Sequence, residues 1–362
     1  MAELIVHHKR IIRNIEKMNT FLSEQGKEWS LVTKVLNGHR PTLEKILSSD
    51  AVKETHSIAD SRISSLKTIK DIRKDIVTMY LKPPAKSSVK NVIRYADISL
   101  NSDFQTINLL NEEAKRQDVN HRIMIMIELG ELREGVVRER FLDFYEHVFN
   151  LSNISVIGLG TNLGCMYGIE PTFDKLIQLC LYEQLIETRF NQNLELVSGG
   201  SSITLPLLKR KKVPIGINHL RVGEAIFLGT SPLEQKKFMN LSTNAFEFKG
   251  NIVELQKKQT QPDGVIGNGN VGHVDTIAED SSLKEEYKAL LDFGVIDVDS
   301  DNLTPKNKKA QFLGTTSDLT VYSLGQEISK YQKEKIMHFQ PNYMAVARLM
   351  NSKFVKKEID SL

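Results

Sequence analysis

Eight short apolar runs recur between about residue 30 and residue 228, and a longer amphipathic stretch follows most of them. The runs are SLVTKV, ETHSIAD, DIVTMYL, RYADISL, RIMIMIEL, ISVIGLG, LELVSGG and PIGINHL. Between them lie PTLEKILSS, SRISSLKTIK, FQTINLLNEEAKRQ, VVRERFLDFYEHVFN and TFDKLIQLCLYEQLIETRF, whose apolar residues keep helical spacing. The alternation predicts parallel strands, because a strand returning parallel to its neighbour needs a crossover connection, usually a helix. Eight such units fit a closed (β/α)8 TIM-type barrel. The rival is an open doubly wound sheet, and no G-x-G-x-x-G opens the first unit to support it.

The texture changes near residue 240. NAFEFKGNIVELQKK alternates as a strand does, and Gly-rich PDGVIGNGNVGH, turn-prone DVDSDNLTP and FLGTTSDLTVYSLG follow. We read residues 1–240 as the barrel and 241–362 as a smaller β-rich C-terminal domain closed by YMAVARLMNSKFV. With 362 residues, 40% of them hydrophobic, the chain has core enough to need no disulfide or metal staple. Cys165 and Cys180 form no framework and no Cys-x-x-Cys site, which points to a reducing cytoplasm. No apolar stretch approaches transmembrane length, so no membrane partner is expected. The first residues, MAELIVHHKRIIRNIEKM, lack a signal peptide's uninterrupted apolar region. Ile5, Ile12, Ile15 and Met18 keep helical phase there, so the segment is expected to pack on the protein's own surface. Net charge is only +3, and the basic run Lys209-Arg210-Lys211-Lys212 lacks interleaved aromatics. It suits a solvated helix end rather than a nucleic-acid site. Nothing has a Zn or Ca ligand pattern, and the alternating Met124 and Met126 suit the barrel core.

Lys34 poses the chemical question. It follows Leu31 and Val32 at the end of an apolar run, where a buried ammonium is costly unless paired, neutralised or used covalently. The bland alternative is an edge lysine that snorkels to solvent. Polar residues and glycines also cluster after several other runs, where barrel enzymes build their sites. A lysine there is suited to a Schiff base, with a substrate or with pyridoxal 5'-phosphate (PLP). PLP also requires a phosphate cradle and a partner for its ring nitrogen. SGGSS offers the cradle through Ser198, Gly200, Ser201 and Ser202, since small residues let backbone N–H groups approach phosphate oxygens. NHLRVGEAIFLG offers the partner in Arg221, and Gly223-Glu224 opens a helix whose free amides face the same way.

In these motifs the chain resembles the fold-type III PLP enzymes of the alanine racemase superfamily, most of all the ornithine/alanine racemase branch. The resemblance runs nearly end to end, through VTKV, IADSRI, ADISLNS, IELGELREG, GLGTNLGC, SGGSS, INHLRVGEAIFLG, TSDL and NYMAVARLM. It implies that Lys34 binds PLP and serves as one proton-transfer base. Arg133 then lies near the cofactor's phenolic oxygen and the substrate carboxylate. Asn162 stands where the family has a His packed against the ring. Ser202 matches the phosphate-binding Ser, with Ser201 where Asn is usual, and the Gly223 and Glu224 amides complete the cradle. Arg221 pairs with the ring nitrogen. Tyr343 matches a tyrosine near the phosphate, and Thr316, Ser317 and Asp318 line the substrate pocket. In the family this second domain closes the partner subunit's site, which implies a homodimer acting on a small amino acid, alanine- or ornithine-like.

The implied chemistry is racemisation. A guanidinium does not give up its proton, so the ring nitrogen facing Arg221 stays largely unprotonated and draws electrons weakly, which disfavours transamination. A racemase needs a second base on the opposite face, and alanine racemase supplies a tyrosine in a V-G-Tyr-G stretch. Here IGNG places Asn268 at that position, and an amide exchanges no protons near neutral pH. Cys165 is the candidate replacement, with His273 and Tyr322 behind it. Leu319 also stands where the branch favours His. Asp60 and Arg62 are expected either to support the site or to cap the next helix. The alternatives are a decarboxylase or aldolase built on the same Lys34 and Arg221, and a PLP-binding protein without turnover.

Overall fold

The computed structural model describes residues 1–267, 269, 272–274, 285–326 and 328–360. The chain opens with a short strand, β1 (Glu3–Val6), and a helix, α1 (His8–Glu24). The helical phase read from residue 5 onward therefore starts only at residue 8. Ile5 belongs to the strand, while Ile11, Ile15, Met18 and Leu22 form the buried face of α1.

Eight parallel strands then close on themselves. They are β2 (Glu28–Val32), β3 (Ser57–Asp60), β4 (Thr78–Tyr80), β5 (Ile98–Asn101), β6 (His121–Met126), β7 (Ile154–Gly160), β8 (Leu196–Ser201) and β9 (His219–Val222). β9 pairs with β2 from Glu28↔His219 to Leu31↔Val222, and this last ladder makes the barrel closed rather than open. One helix follows each strand: α2 (Arg40–Leu47), α3 (Ile63–Ile72), α4 (Val89–Tyr95), α5 (Phe104–Arg116), α6 (Phe141–Phe149), α7 (Phe173–Phe190), α8 (Leu205–Lys209) and α9 (Glu224–Leu228). The run Lys209 to Lys212 is the exposed end of α8, as its charge suggested.

The barrel core includes Val32, Ala59, Met79, Ile98, Leu100, Met124, Met126, Ile157 and Leu196. Fully burying such a side chain stabilises the fold by about 1.5–3 kcal/mol, before chain entropy is charged against it. Several polar side chains share the interior and bond one another. His219 bonds Ser30 Oγ at 2.9 Å through Nε2 and Ser198 Oγ at 2.9 Å through Nδ1. Ser30 also bonds Ser57, and His121 bonds Ser99 at 2.8 Å. A neutral imidazole offers one donor and one acceptor, and hydroxyls can meet either need.

The barrel unit spans Lys9–Thr243, and Met1–His8 group with Asn244–Leu362 in a second unit. Its long strand, Phe246–Gln259, pairs with β1, with Glu285–Leu291 and with Ile336–Pro341. Phe248, Phe293, Phe339 and Tyr322 pack ring on ring inside it. The C-terminal helix Tyr343–Asn351 is capped by Asn342, whose side-chain oxygen accepts from the Ala345 amide.

Candidate active site

β2 stops at Val32, two residues short of Lys34. Thr33 turns out of the strand, Lys34–Leu36 make one 3-10 turn, and Asn37 and Gly38 end it at φ 49 and 69°. The turn buries Val35 and Leu36 and exposes Lys34 at the C-terminal mouth of the barrel. The lysine thus escapes the burial that a strand running to Val35 would have forced on it. Among the described residues its amine has no hydrogen-bond or ion-pair partner, although its charge acts on the Glu224 carboxyl. Burial pushes the Glu224 carboxyl up in pKa, and Lys34 pulls it partly back.

Beside this turn, Asp60 ends β3 at 1% exposure. Its Oδ2 accepts from the Thr33 hydroxyl at 3.0 Å and its Oδ1 from the Arg62 amide at 2.9 Å. Asp60 thus steadies the residue before Lys34 and holds the Arg62 amide just ahead of α3, but it does not cap that helix, whose N-cap residue is Arg62 with no side-chain cap bond. Burial raises its pKa to about 6 against those hydrogen bonds. Tyr80, at the end of β4, is raised by burial and by the Asp60 charge.

Arg221 lies inside the barrel end at 3% exposure. Its Nη2 donates to the Thr161 carbonyl at 2.6 Å and to Asn162 Oδ1 at 2.9 Å, and its Nη1 to the Met126 sulfur at 3.6 Å. A Cβ on Gly160 would stand 3.3 Å from Nη1 and 3.0 Å from the Met124 sulfur, so the strand leaves room there for the guanidinium. No carboxylate contacts Arg221 directly among the described residues. Burial lowers its pKa to about 10, with Glu134 and Cys165 opposing the fall and Arg133 adding to it. It stays protonated at neutral pH.

Two loops meet over this group. The first starts at Ile127, just past the end of β6, and returns where Val136 bridges Ile127. It carries Glu131, Arg133 and Glu134. The Arg133 guanidinium pairs with both oxygens of Glu134 through Nε and Nη2, and this pairing holds its pKa above the usual arginine value. Glu134 Oε1 also accepts from Asn162 Nδ2. The second loop follows β7 and carries Asn162 and Cys165. Glu131, 2% exposed, accepts four amides from it: Cys165 (3.2 Å), Met166 (2.8 Å), Tyr167 (3.1 Å) and Ile169 (2.8 Å). Burial alone would raise the Glu131 pKa, and the four donors reverse that and lower it. The exposed Cys165 thiol bonds the Leu163 carbonyl at 3.6 Å and acts on both Arg133 and Arg221.

At the next strand pair, the buried Ser202 Oγ accepts from the Gly223 amide at 3.3 Å and the Ala225 amide at 3.2 Å. A Cβ on Gly223 would lie 3.0 Å from both Cβ and O of Val32, so a side chain here would press on β2. Gly200, at φ 105°, turns the chain just before. Ser201 is half-buried at the end of β8. Ser198 differs from its neighbours: its hydroxyl faces His219 in the barrel interior.

The remaining predicted residues lie in the second unit. Thr316, Ser317 and Asp318 form a turn in which Ser317 Oγ donates to Asp318 Oδ2 at 2.7 Å. Tyr343 opens the C-terminal helix. Tyr322 is 1% exposed among aromatic rings and its pKa is pushed far up by burial, which removes it as a base. His273 is exposed in a two-residue strand. Asn268 falls outside the described residues. A cavity of about 570 Å³ in this unit, lined by Glu247, Lys306, Tyr331 and His338 among others, holds none of the predicted site residues.

Lys34, Arg133, Asn162, Ser202 and Arg221 thus lie at one barrel end in the strand order their motifs follow. A family model, alanine racemase N-terminal domain, matches residues 6–232. The chain belongs to the alanine racemase family. It is 34% identical to the ornithine racemase of Acetoanaerobium sticklandii, covering 86% of this chain and 88% of that one. With the lysine racemase of Thermotoga maritima it shares 29% identity, over 98% and 97% of the two chains. Among solved structures it is similar to alanine racemase from Streptomyces coelicolor A3(2), with TM-score 0.72 and 13% identity over 100% of this chain and 98% of that. It is also similar to D-threonine aldolase from Filomicrobium marinum, with TM-score 0.67 and 11% identity over 96% and 88%. At such identities the likeness shows a shared fold, which hosts more than one reaction. Membership of a family with racemase relatives along nearly the whole chain is what selects racemisation.

Three parts of the site were not foreseen from sequence: Glu134 as a bridge, Glu131 as the holder of the second loop, and Met126 and Thr161 as acceptors for Arg221. The adjacency of Arg133 and Glu134 was the only visible signal. The other contacts join residues at least 28 positions apart.

Proposed function

We propose that the protein is a PLP-dependent amino-acid racemase whose substrate is ornithine- or lysine-like, acting as a homodimer in the cytoplasm. The observation that carries this reading is Arg221. It is a buried guanidinium with only neutral direct partners, at the mouth where Lys34 is exposed. A buried cation without a contacting counter-charge is costly, and an acceptor brought in by a cofactor relieves that cost. The residues fit PLP. The Ser202 oxygen already receives two amides, which leaves its own proton to donate outward to a phosphate oxygen. Gly223 keeps that corner free of a side chain.

Bound PLP would supply an electron sink that acidifies the Cα–H of an attached amino acid. The chain's own residues would do the rest. Lys34 holds the cofactor covalently and moves a proton at its Nζ on one face. Arg221 donates a hydrogen bond to the ring nitrogen without giving up its proton, given a pKa of about 10. Arg133 takes the substrate carboxylate. Cys165, beside Arg133, is the candidate base for the second face. By the family resemblance, Thr316, Ser317 and Asp318 would line a substrate pocket completed by the dimer, and Tyr343 would stand near the phosphate. Relatives that racemise ornithine and lysine support the choice of a basic substrate.

Purified protein should be yellow, and borohydride should fix the cofactor on the Lys34 peptide. In D2O with L-ornithine, L-lysine or L-alanine, deuterium should enter at Cα and both enantiomers should appear, fastest with a basic amino acid. Release of CO2 or of an aldehyde would replace this reading with a decarboxylase or an aldolase. A yellow protein that exchanges no Cα proton with any of the three would be a binding protein instead. Size-exclusion with light scattering checks the dimer.

A further inference from the structure

The two arginines of the site are joined through one carboxylate. Glu134 is 13% exposed, and both its oxygens are engaged by the Arg133 guanidinium. The same carboxylate receives the Asn162 amide nitrogen, which turns the Asn162 carbonyl oxygen toward Arg221 Nη2 at 2.9 Å. The order guanidinium, carboxylate, amide, guanidinium leaves no freedom in the middle. If Asn162 flipped, its NH2 would face the Arg221 donors and its oxygen would face Glu134, giving two repulsive contacts in place of two bonds. Glu134 is also the sole carboxylate contacting either guanidinium among the described residues. Without it, the buried Arg221 and the partly exposed Arg133 would repel each other with no contacting anion between them.

We infer that Glu134 is the positioning residue that sets both guanidinium groups of the site, Arg133 by direct pairing and Arg221 through the Asn162 amide. The inference rests on the proposed PLP site and assigns a role to one more residue of it. Glu134 touches neither cofactor nor substrate in this assignment. Its bidentate grip fixes the Arg133 fork in plane, so a substrate carboxylate meets a preset donor geometry instead of ordering a long side chain itself. Through Asn162 it keeps a carbonyl oxygen on Arg221, which fixes the direction in which that guanidinium offers its remaining hydrogens.

The test uses holoenzyme of the wild type, E134Q and E134D. Two readouts are independent of turnover: the dissociation constant of acetate, measured by its perturbation of the cofactor absorbance, and the position of that absorbance band between pH 6 and 9. A charge-assisted pair at this burial corresponds to about a tenfold change or more. E134Q should therefore bind acetate about tenfold more weakly and show a displaced band, with KM for L-ornithine raised more than kcat is lowered. E134D, which keeps the charge on a shorter arm, should recover part of each change, and it carries the test alone if E134Q does not fold. Acetate binding as tight as in the wild type or tighter, with an unmoved band, would overturn the inference, since Glu134 would then only compete for Arg133. A wild type that takes up no PLP would instead defeat the cofactor reading, so the two failures are told apart.

Discussion

Asp60 shows how far one residue can depart from its solution chemistry. The carboxyl is nearly out of water, and two hydrogen bonds offset only part of its desolvation, so its pKa stands at about 6 against an ordinary 3.8. The folded state therefore holds the proton more tightly than the unfolded chain does. The contribution of this group is greatest below the unfolded pKa and declines as pH rises through the folded one. Between about pH 4 and 6 the decline is about 1.4 kcal/mol per unit, or about 3 kcal/mol in all. Denaturant unfolding of wild type and D60N should show that difference in slope, with parallel curves above pH 6. A constant offset across pH 4 to 8 would mean that Asp60 titrates as an ordinary surface carboxylate. Lys34 is the residue that sequence marked best, because an amine at the end of an apolar run had to be explained. The turn that exposes it was not marked, since VTKVL continues a strand pattern and only Asn37-Gly38 hints at the break.

At the level of elements, the strands of the barrel and its longer helices were legible because burial on both faces leaves a plain apolar run while a helix leaves a 3.6-residue period. The seven-residue α4 was missed, and RYADISL opens on its last residues before β5 begins at Ile98. β1 was not legible either. Its alternate residues, Leu4 and Val6, are buried, yet Ile5 also continues the phase of α1, and four residues cannot tell the two periods apart. What identifies it as a strand is pairing with Phe246–Lys249 and Lys356–Ile359, hundreds of residues away. The loop bearing Cys165 was equally silent, since its anchor is Glu131 on a different loop. Four amides converging on one buried carboxylate predict a specific outcome. In E131Q the side-chain NH2 would face N–H donors, and amides 165, 166, 167 and 169 should exchange with solvent at least about tenfold faster than in wild type, given the worth of hydrogen bonds to a charged group. Amides in β6 and β7 should keep their protection. Unchanged exchange in the loop would show that its shape does not depend on Glu131.

For the barrel as a whole, the interior histidines should make part of its stability sensitive to acid. His121 and His219 sit at 3% and 0% exposure, hydrogen-bonded to serines on neighbouring strands. Burial lowers both pKa values, His121 to about 4 and His219 well below its ordinary 6.5. The unfolded chain takes up protons at these imidazoles as pH falls through 6.5 while the folded barrel refuses them. Stability from these groups is thus complete above pH 6.5 and is lost on the way down, the opposite slope to Asp60. His121 alone accounts for about 3 kcal/mol between pH 6.5 and 4 at about 1.4 kcal/mol per unit. H121Q, which keeps a side chain able to bond Ser99, should lose less stability than wild type on acidification, with the two curves converging as pH falls from 6.5 to 4. Curves that stay parallel through that interval would mean that His121 is protonated inside the folded barrel, and the neutral hydroxyl–imidazole interior described above would then be wrong.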